Sequence, residues 1–164
     1  MAQNHTPFTP DSGTLQIDLP SADAATAFAE ICAQHLGAGD TVLLSGAVGT
    51  GKSHFARALI RHHLGPDTDV PSPSFTLVQV YAAAFEIWHA DLYRLTYTGE
   101  LAELGLDEAL GQALCLIEWP DRLGDMPIGP ALRIDLAYHG QGRLAQVSGA
   151  SAPLRAALTS EFAP

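Results

Sequence analysis

Residues 46–53 match the phosphate-binding loop pattern G-x-x-x-x-G-K-[ST] at every required position. Gly46 and Gly51 allow backbone angles that other residues avoid, and they bring N–H groups close to phosphate oxygens. Lys52 is the only lysine of the chain. Its charge would attract the β- and γ-phosphates, while the Ser53 hydroxyl would bind Mg²⁺. We therefore expect a nucleoside triphosphate and Mg²⁺ to bind the whole loop, which comprises Gly46, Ala47, Val48, Gly49, Thr50, Gly51, Lys52 and Ser53.

Hydrolysis also requires groups that hold the metal and orient the attacking water. Glu118 follows four apolar residues at 114–117, as the acidic residue of a Walker B segment does. Because ligands of parallel α/β sheets bind at the carboxyl ends of strands, Glu118 could hold Mg²⁺ opposite Ser53, directly or through water. The alternative is a glutamate at a strand end that faces solvent. Trp119 next to it is either a core residue or a lid beside the nucleotide.

Asp91 is a second acidic candidate, because it interrupts an apolar stretch of the chain. A buried carboxylate is costly unless a partner compensates it. A position facing Mg²⁺ and the γ-phosphate would provide one, and there Asp91 could position water or the hydration shell of the metal. The alternative is a buried pair of Asp91 with Arg94 or with His89.

The sequence favours an adenine nucleotide over a guanine nucleotide. The guanine-recognition motif Asn-Lys-x-Asp is excluded, because Lys52 is the only lysine and lies in the loop. Residues 121–124 do match the D-x-x-G pattern of GTPases, but so short a pattern recurs by chance. We therefore expect ATP or ADP at the loop.

The elements around the loop are those that such a motif requires. Residues 41–45 form a short apolar run typical of a buried parallel strand, and helical spacing predicts a helix at 52–64. The remaining pattern predicts helices at 21–37, 101–110 (with a break near Gly105) and 153–162, and strands at 14–19, 76–81, 85–93, 113–119, 132–138 and 143–147. Residues 70–75 form a proline-rich connector.

This alternation of helices with short apolar strands predicts an α/β protein with a three-layer P-loop NTPase fold. We expect a mostly parallel central sheet and a C-terminal antiparallel strand pair. Residues 1–13, rich in Thr and Pro, are predicted to be a flexible leader. Residues 14–164 are predicted to form a single ATPase domain.

Composition argues against two classes of partner. The chain has 8 Lys and Arg against 18 Asp and Glu, a net charge of −10, and such a surface repels nucleic acid backbones. No stretch approaches the roughly 20 apolar residues of a membrane helix.

Cys32 and Cys115 lie in apolar surroundings and are predicted to be buried free thiols, which suits a reducing cytoplasm.

Four segments, in order and at suitable spacing, together resemble the TsaE family of bacterial P-loop ATPases. They are the loop itself, Ser-Pro-Ser-Phe-Thr-Leu-Val at 72–78, His-Ala-Asp-Leu-Tyr-Arg-Leu at 89–95 and Ile-Glu-Trp-Pro at 117–120. The resemblance covers residues 14–150. It implies a weak ATPase of the tRNA threonylcarbamoyladenosine pathway that acts with a TsaD–TsaB transferase pair. In that family ATP hydrolysis is thought to reset the transferase between turnovers.

The resemblance also implies roles for individual positions. Lys52 would hold phosphate, Ser53 and Glu118 would serve Mg²⁺, and Asp91 would assist hydrolysis. Three further residues would lie near the nucleotide or in a switch-like connector, namely Ser74, Trp119 and Arg143. The segment at 21–26 would reach the base.

The chain departs from the family pattern at His54, where a second hydroxyl residue usually follows the loop lysine. The backbone N–H of His54 can still donate to an α-phosphate, but a hydroxyl contact is lost. At Ser74 serine replaces the usual threonine and keeps the hydroxyl.

Two other functions fit the loop. A small-molecule kinase would need several arginines in a mobile lid, and no arginine cluster follows the connector. A nucleotide-gated binding module would use ATP only to order residues 70–80, as a γ-phosphate orders switch loops. The weak ATPase is the preferred prediction, and we expect its partner to supply or position a missing catalytic group.

Overall fold

The computed structural model describes residues 13–162, and seven strands in this range form one sheet. The strands are β1 Leu15–Leu19, β2 Thr41–Ser45, β3 Val78–Ala82, β4 Glu86–Asp91, β5 Leu114–Glu118, β6 Leu132–His139 and β7 Gly142–Ser148. The helices are α1 Ala22–His35, α2 Lys52–Leu64, α3 Gly99–Glu103, α4 Leu106–Ala109 and α5 Ala152–Phe162, and a 3₁₀ turn spans Pro120–Leu123. Each predicted helix and strand is present, with ends that differ by a few residues.

The strand order is β1-β7-β6-β2-β5-β4-β3. The central strands β6, β2, β5 and β4 are parallel, whereas β1 with β7, β7 with β6 and β3 with β4 are antiparallel. The predicted parallel centre and C-terminal antiparallel pair are confirmed, and β1 and β3 extend the antiparallel part to both edges. Because β2, β5 and β4 run in one direction, their last residues Ser45, Glu118 and Asp91 lie at the same edge.

Apolar side chains alternate along the central strands and form a core on each face of the sheet. Val42 and Leu44 of β2 pack with α1, α2 and α5, whereas Leu43 packs with α3, α4 and the 3₁₀ turn. This alternation is expected of strands covered on both faces. The three layers agree with the predicted α/β fold and set α2 against the sheet edge where the acidic residues lie.

Two helices follow the sequence signals closely. The hydroxyl of Ser21 accepts from the backbone N–H of Ala24 at 3.1 Å and caps α1, as its residue type predicts. The predicted helix at 101–110 is divided into α3 and α4, because Gly105 adopts a φ of 83° between them. The break near this glycine was therefore correctly predicted.

Cys32 and Cys115 are buried and free, as predicted, and burial raises the pKa of each thiol to about 12. The predicted leader at 1–13 lies outside the described residues except for its last position, and the single ATPase domain at 14–164 stays a prediction. Within residues 13–162, no helix combines the length and the apolar character needed to cross a membrane.

Candidate nucleotide site

The phosphate-binding loop joins the end of β2 to the start of α2, and glycines shape it. Gly46, Gly49 and Gly51 have φ values of 139°, 83° and 107°, which L side chains rarely adopt. A Cβ atom at Gly46 would lie 2.3 Å from the carbonyl oxygen of Leu136, so only glycine lets the loop pass this close to β6. The first N–H groups of α2 lack partners within the helix, and their partial positive charge favours an anion here.

Lys52 begins α2, and its side chain is nearly buried at 5% exposure. Its Nζ donates to the carbonyl oxygens of Gly46 at 2.7 Å and Ala47 at 2.9 Å, and lies 4.3 Å from the ring centroid of Trp119. Burial lowers the pKa of Lys52, and nearby carboxylates, Glu118 foremost, oppose that shift. The loop therefore holds a cation beside the acidic strand ends.

Glu118 connects the loop helix with the neighbouring strand. The side chain is 2% exposed, and its Oε1 accepts a hydrogen bond from Ser53 Oγ at 2.9 Å. Its Oε2 lies 2.7 Å from Nε2 of His89 on β4. The alternative of a solvent-facing glutamate is therefore wrong, and the two predicted metal ligands are direct neighbours.

Asp91 ends β4 directly opposite Glu118 in the register of the parallel pair and is 8% exposed. Its Oδ1 accepts from the backbone N–H of Tyr93 at 3.1 Å. Burial raises the pKa of this carboxyl group. The alternative partners are engaged elsewhere: His89 contacts Glu118, and the Arg94 guanidinium stacks on an aromatic ring of the connector.

Trp119 follows β5 in a left-handed conformation with φ 59° and ψ 55°, which is rare for a bulky residue. Its half-buried ring covers the Lys52 ammonium and lies 4.9 Å from the ring of Tyr93, centroid to centroid. Trp119 therefore packs against the core on the α3 and α4 face of the sheet and also forms a wall of the cavity at the loop.

Two cavities flank the loop. The first, about 350 Å³, is lined by loop residues, both acidic residues and four side chains from neighbouring segments, which are Ser74, Tyr93, Arg94 and Trp119. The second, about 380 Å³, lies on the α1 side and is more apolar, with Ser21, Ala22, Ala25, Phe28 and Leu136 in its lining. Gly49, Gly51 and His54 line both cavities. One elongated ligand could therefore occupy both.

Two predicted positions, Ser74 and Arg143, take more indirect places. Ser74 lines the first cavity, and its hydroxyl is hydrogen-bonded to that of Ser72 at 2.7 Å. Arg143 lines the second cavity, where its guanidinium donates to the carbonyl oxygens of Thr50 and Gly49. The arginine thus braces the backbone of the loop.

His54 makes a contact that a hydroxyl residue at this position could not make. Its Nε2 lies 2.9 Å from Oγ1 of Thr26, which joins α2 to α1. The residue that departs from the family pattern is therefore part of the helix packing beside the loop.

The sequence pattern suggested His89 and Arg94 only as alternative partners of Asp91 and assigned no role to Tyr93, although all three contact or line the site. The available signal was a polar residue inside the apolar strand at 85–93, two positions before Asp91. Such spacing puts both side chains on one face of a strand.

A loop of this kind between a central parallel strand and a helix, with acidic residues at the adjoining strand ends, defines a P-loop NTPase-like protein. The chain belongs to the TsaE family: the family model described as "Threonylcarbamoyl adenosine biosynthesis protein TsaE" matches residues 19–145.

Similar proteins support this membership. The tRNA threonylcarbamoyladenosine biosynthesis protein TsaE of Rickettsia typhi is 41% identical over 110 residues, covering 66% of this chain and 76% of the relative. The protein of the same name from Bacillus subtilis is 37% identical over 95 residues, covering 57% of this chain and 58% of its own. The crystal structure of Bacillus subtilis YdiB superposes with a TM-score of 0.72 at 23% identity, over 94% and 97% of the two chains. The last similarity concerns the fold.

Proposed function

We propose that this protein binds ATP with Mg²⁺ at the loop and hydrolyses it slowly, as an accessory of tRNA threonylcarbamoyladenosine biosynthesis. The role in this modification follows from membership of the TsaE family. The hydrogen bond of 2.9 Å between Ser53 and Glu118, beside the Lys52 ammonium, carries the chemical part of the proposal. It brings a phosphate-binding helix and a buried carboxylate to one point.

The side chains around this point fit a magnesium–nucleotide complex. Ser53 and Glu118 offer hydroxyl and carboxylate oxygens, the ligands that Mg²⁺ prefers. The described residues contain no group of three or more His, Cys, Asp or Glu that could hold a metal ion. This agrees with Mg²⁺ bound through one carboxylate, waters and the phosphates of the substrate. When bound, Mg²⁺ would neutralise charge on the phosphates, and Lys52 would turn from the carbonyl oxygens of Gly46 and Ala47 to hold the β- and γ-phosphates.

The position of Asp91 supports a role in orienting the attacking water. Its Oδ1 is held by the N–H of Tyr93, and the carboxylate faces the cavity that contains Lys52. We infer that Asp91 accepts a hydrogen bond from this water and aligns it with the γ-phosphate, as water-positioning residues of other NTPases do.

The second cavity is suited to the adenine base. Its lining is more apolar than that of the first, and it lies next to the helix N-terminus capped by Ser21. The His54 backbone N–H, in the first turn of α2, would then contact the phosphate between the two cavities. Ser21, Ala22 and Ala25 line this cavity, which supports the contact of segment 21–26 with the base that the family resemblance implies.

We infer slow hydrolysis from the contacts that two arginines near the loop make. Arg143 donates to loop carbonyl oxygens, and Arg94 stacks 4.6 Å from the Phe75 ring. Arg143 is thus engaged by the loop backbone, and the exposed Arg94 makes no hydrogen bond within the described part of the chain that would hold it at the phosphate site. An arginine positioned to stabilise the transition state is worth about 10³–10⁵ in rate. We infer that a TsaD–TsaB-type transferase supplies or positions the missing group and is reset by hydrolysis.

Reconstitution tests this function. The full-length protein, ATP, Mg²⁺, the transferase pair and tRNA are combined, and tRNA modification and ATP consumption are measured together. We expect both with the wild type and with Glu108→Gln, a control at an exposed acid, and neither with Glu118→Gln.

The other functions give different results. Full modification by a Glu118→Gln variant that still binds ATP would show that hydrolysis is dispensable and favour a nucleotide-gated binding module. Phosphorylation of a metabolite by the protein alone would favour the kinase. Arg57 and Arg61 donate to the carbonyl oxygens of Val70 and Thr68 and so hold the segment after α2. These two arginines therefore do not form the mobile lid that a kinase would need.

A further inference from the structure

His89 is buried on β4, one strand in from the edge strand β3, and makes one hydrogen bond through its ring. It is 1% exposed, and Nε2 lies 2.7 Å from Oε2 of Glu118. The other ring nitrogen, Nδ1, is buried without a hydrogen-bond partner among the described residues. Among residues 13–162, the contact with Glu118 is thus the one hydrogen bond of this buried ring.

The hydrogen-bond pattern sets the direction of this contact. A carboxylate only accepts, so Nε2 carries the proton and donates. The N–H group of Nε2 is therefore the part of the ring that holds the Glu118 carboxylate.

We infer that His89 is a positioning residue that fixes the Glu118 carboxylate for magnesium. His89 holds Oε2 and thereby turns Oε1 toward Ser53, where it accepts the 2.9 Å hydrogen bond. The inference rests on the proposed function, in which Ser53 and Glu118 hold Mg²⁺.

The chemistry of Glu118 explains why a fixed partner matters. A glutamate has three side-chain torsions, and ordering them costs free energy. Mg²⁺ in turn demands near-ideal octahedral geometry. The imidazole has two torsions and stands on the central strand β4, so it can hold the carboxylate before the ligand arrives. Loss of such outer partners typically lowers metal affinity or activity by about 10–100-fold.

The neighbouring acid makes the position of Glu118 more critical. Asp91 lies opposite Glu118 in register and on the same face of the sheet as His89. A Glu118 side chain released from His89 could turn away from this like charge and from Ser53. In this arrangement His89 fixes the Glu118 carboxylate beside the Ser53 hydroxyl, while the Asp91 carboxylate is held by the N–H of Tyr93.

Two variants of equal side-chain length test the inference. His89→Gln keeps an N–H donor at the position of Nε2, whereas His89→Met has the same length and no donor. The affinity of each full-length protein for a non-hydrolysable ATP analogue is measured by calorimetry, once with Mg²⁺ and once with EDTA. The ratio of the two affinities gives the contribution of the metal.

We expect His89→Met to reduce the Mg²⁺-dependent gain in affinity by about tenfold or more, with the affinity in EDTA unchanged. His89→Gln should keep most of the gain. If the Met variant does not fold, His89→Asn replaces it, because its amide lies at the position of Nδ1 and is too short to reach Glu118.

The contrary results are distinct. Equal losses of nucleotide affinity with Mg²⁺ and with EDTA would overturn the role of His89 but not the proposed function. So would a full Mg²⁺-dependent gain in affinity in the variants that lack the donor. A wild-type protein that gains no affinity from Mg²⁺ would overturn the proposed function, and the inference with it.

Discussion

At the scale of single residues, Asp91 combines its proposed catalytic role with a cost in stability. Burial raises the pKa of its carboxyl group above the ordinary value of 3.8. A group with a raised pKa in the folded state contributes stability below its unfolded pKa and loses that contribution as pH rises through the folded pKa. At neutral pH the ionised Asp91 therefore opposes folding.

Replacing Asp91 with Asn removes this cost. We expect Asp91→Asn to unfold at a higher temperature than the wild type at pH 7, with the difference disappearing below about pH 3.8, and to lose ATP hydrolysis. Thermal unfolding followed by circular dichroism between pH 3 and pH 8 measures the first effect. A variant less stable than the wild type at pH 7 would show that the ionised carboxylate is well compensated.

His54 is the second residue whose effect can be separated into packing and binding. His54→Thr removes the hydrogen bond to Thr26 and should lower the free energy of unfolding by about 0.5–1.5 kcal/mol. It also restores a hydroxyl beside the phosphates, so we expect nucleotide binding to tighten, by less than about tenfold, or 1.4 kcal/mol.

Thr26→Ala is the matched control, because it removes the same hydrogen bond and adds no hydroxyl. Chemical denaturation and calorimetry measure both variants. Unchanged or weaker nucleotide binding by His54→Thr would contradict the account of this departure from the family pattern.

At the scale of elements, the loop depends on backbone shapes that glycine alone provides. A Cβ atom at Gly46 would lie 2.3 Å from the backbone of β6, whereas one at Gly111, also at positive φ, would meet nothing within 4 Å. Gly46→Ala should therefore cost several kcal/mol more than the roughly 1–2 kcal/mol of left-handed strain at Gly111 and should abolish nucleotide binding. Equal losses of stability in the two variants by denaturant titration would rule out this steric role.

The elements themselves could be predicted from the sequence, because apolar periodicity and helix-capping residues are local signals. Ser21 and Gly105 marked a helix start and a helix break, and the structure has both. The loop motif likewise indicated its own strand and helix. The antiparallel pairing of β1 and β3 at the edges of the sheet could not be predicted, because the residues of a strand do not specify which strand it pairs with.

The role of His89 was missed for the same reason. Its contact with Glu118 requires that β4 lie next to β5 in a register that aligns Asp91 with Glu118. Periodicity shows only that His89 and Asp91 share a face. The left-handed conformation of Trp119 could not be predicted from the sequence either, because a positive φ at a bulky residue is imposed by the surrounding structure.

At the scale of the whole molecule, the charge of −10 determines which partners can be bound directly. Repulsion of the phosphate backbone should prevent binding of tRNA by the protein alone. We expect no saturable binding of tRNA in filter assays at physiological salt without the transferase pair. Tight binding of tRNA that weakens steeply as salt is raised would reveal a basic surface and contradict this prediction.

The central claim is that Lys52, Ser53 and Glu118 enclose the phosphates of a magnesium-bound adenine nucleotide. Its most direct test is calorimetric titration of Mg²⁺ and ATP into the full-length protein and into Lys52→Met, which keeps an unbranched apolar side chain and lacks the terminal ammonium group. We predict saturable binding by the wild type and a loss of about 10–100-fold in the variant, since hydrogen bonds to charged groups contribute about 1.5–3 kcal/mol. No uptake of nucleotide by folded wild-type protein, or equal affinity of the two proteins, would contradict the claim.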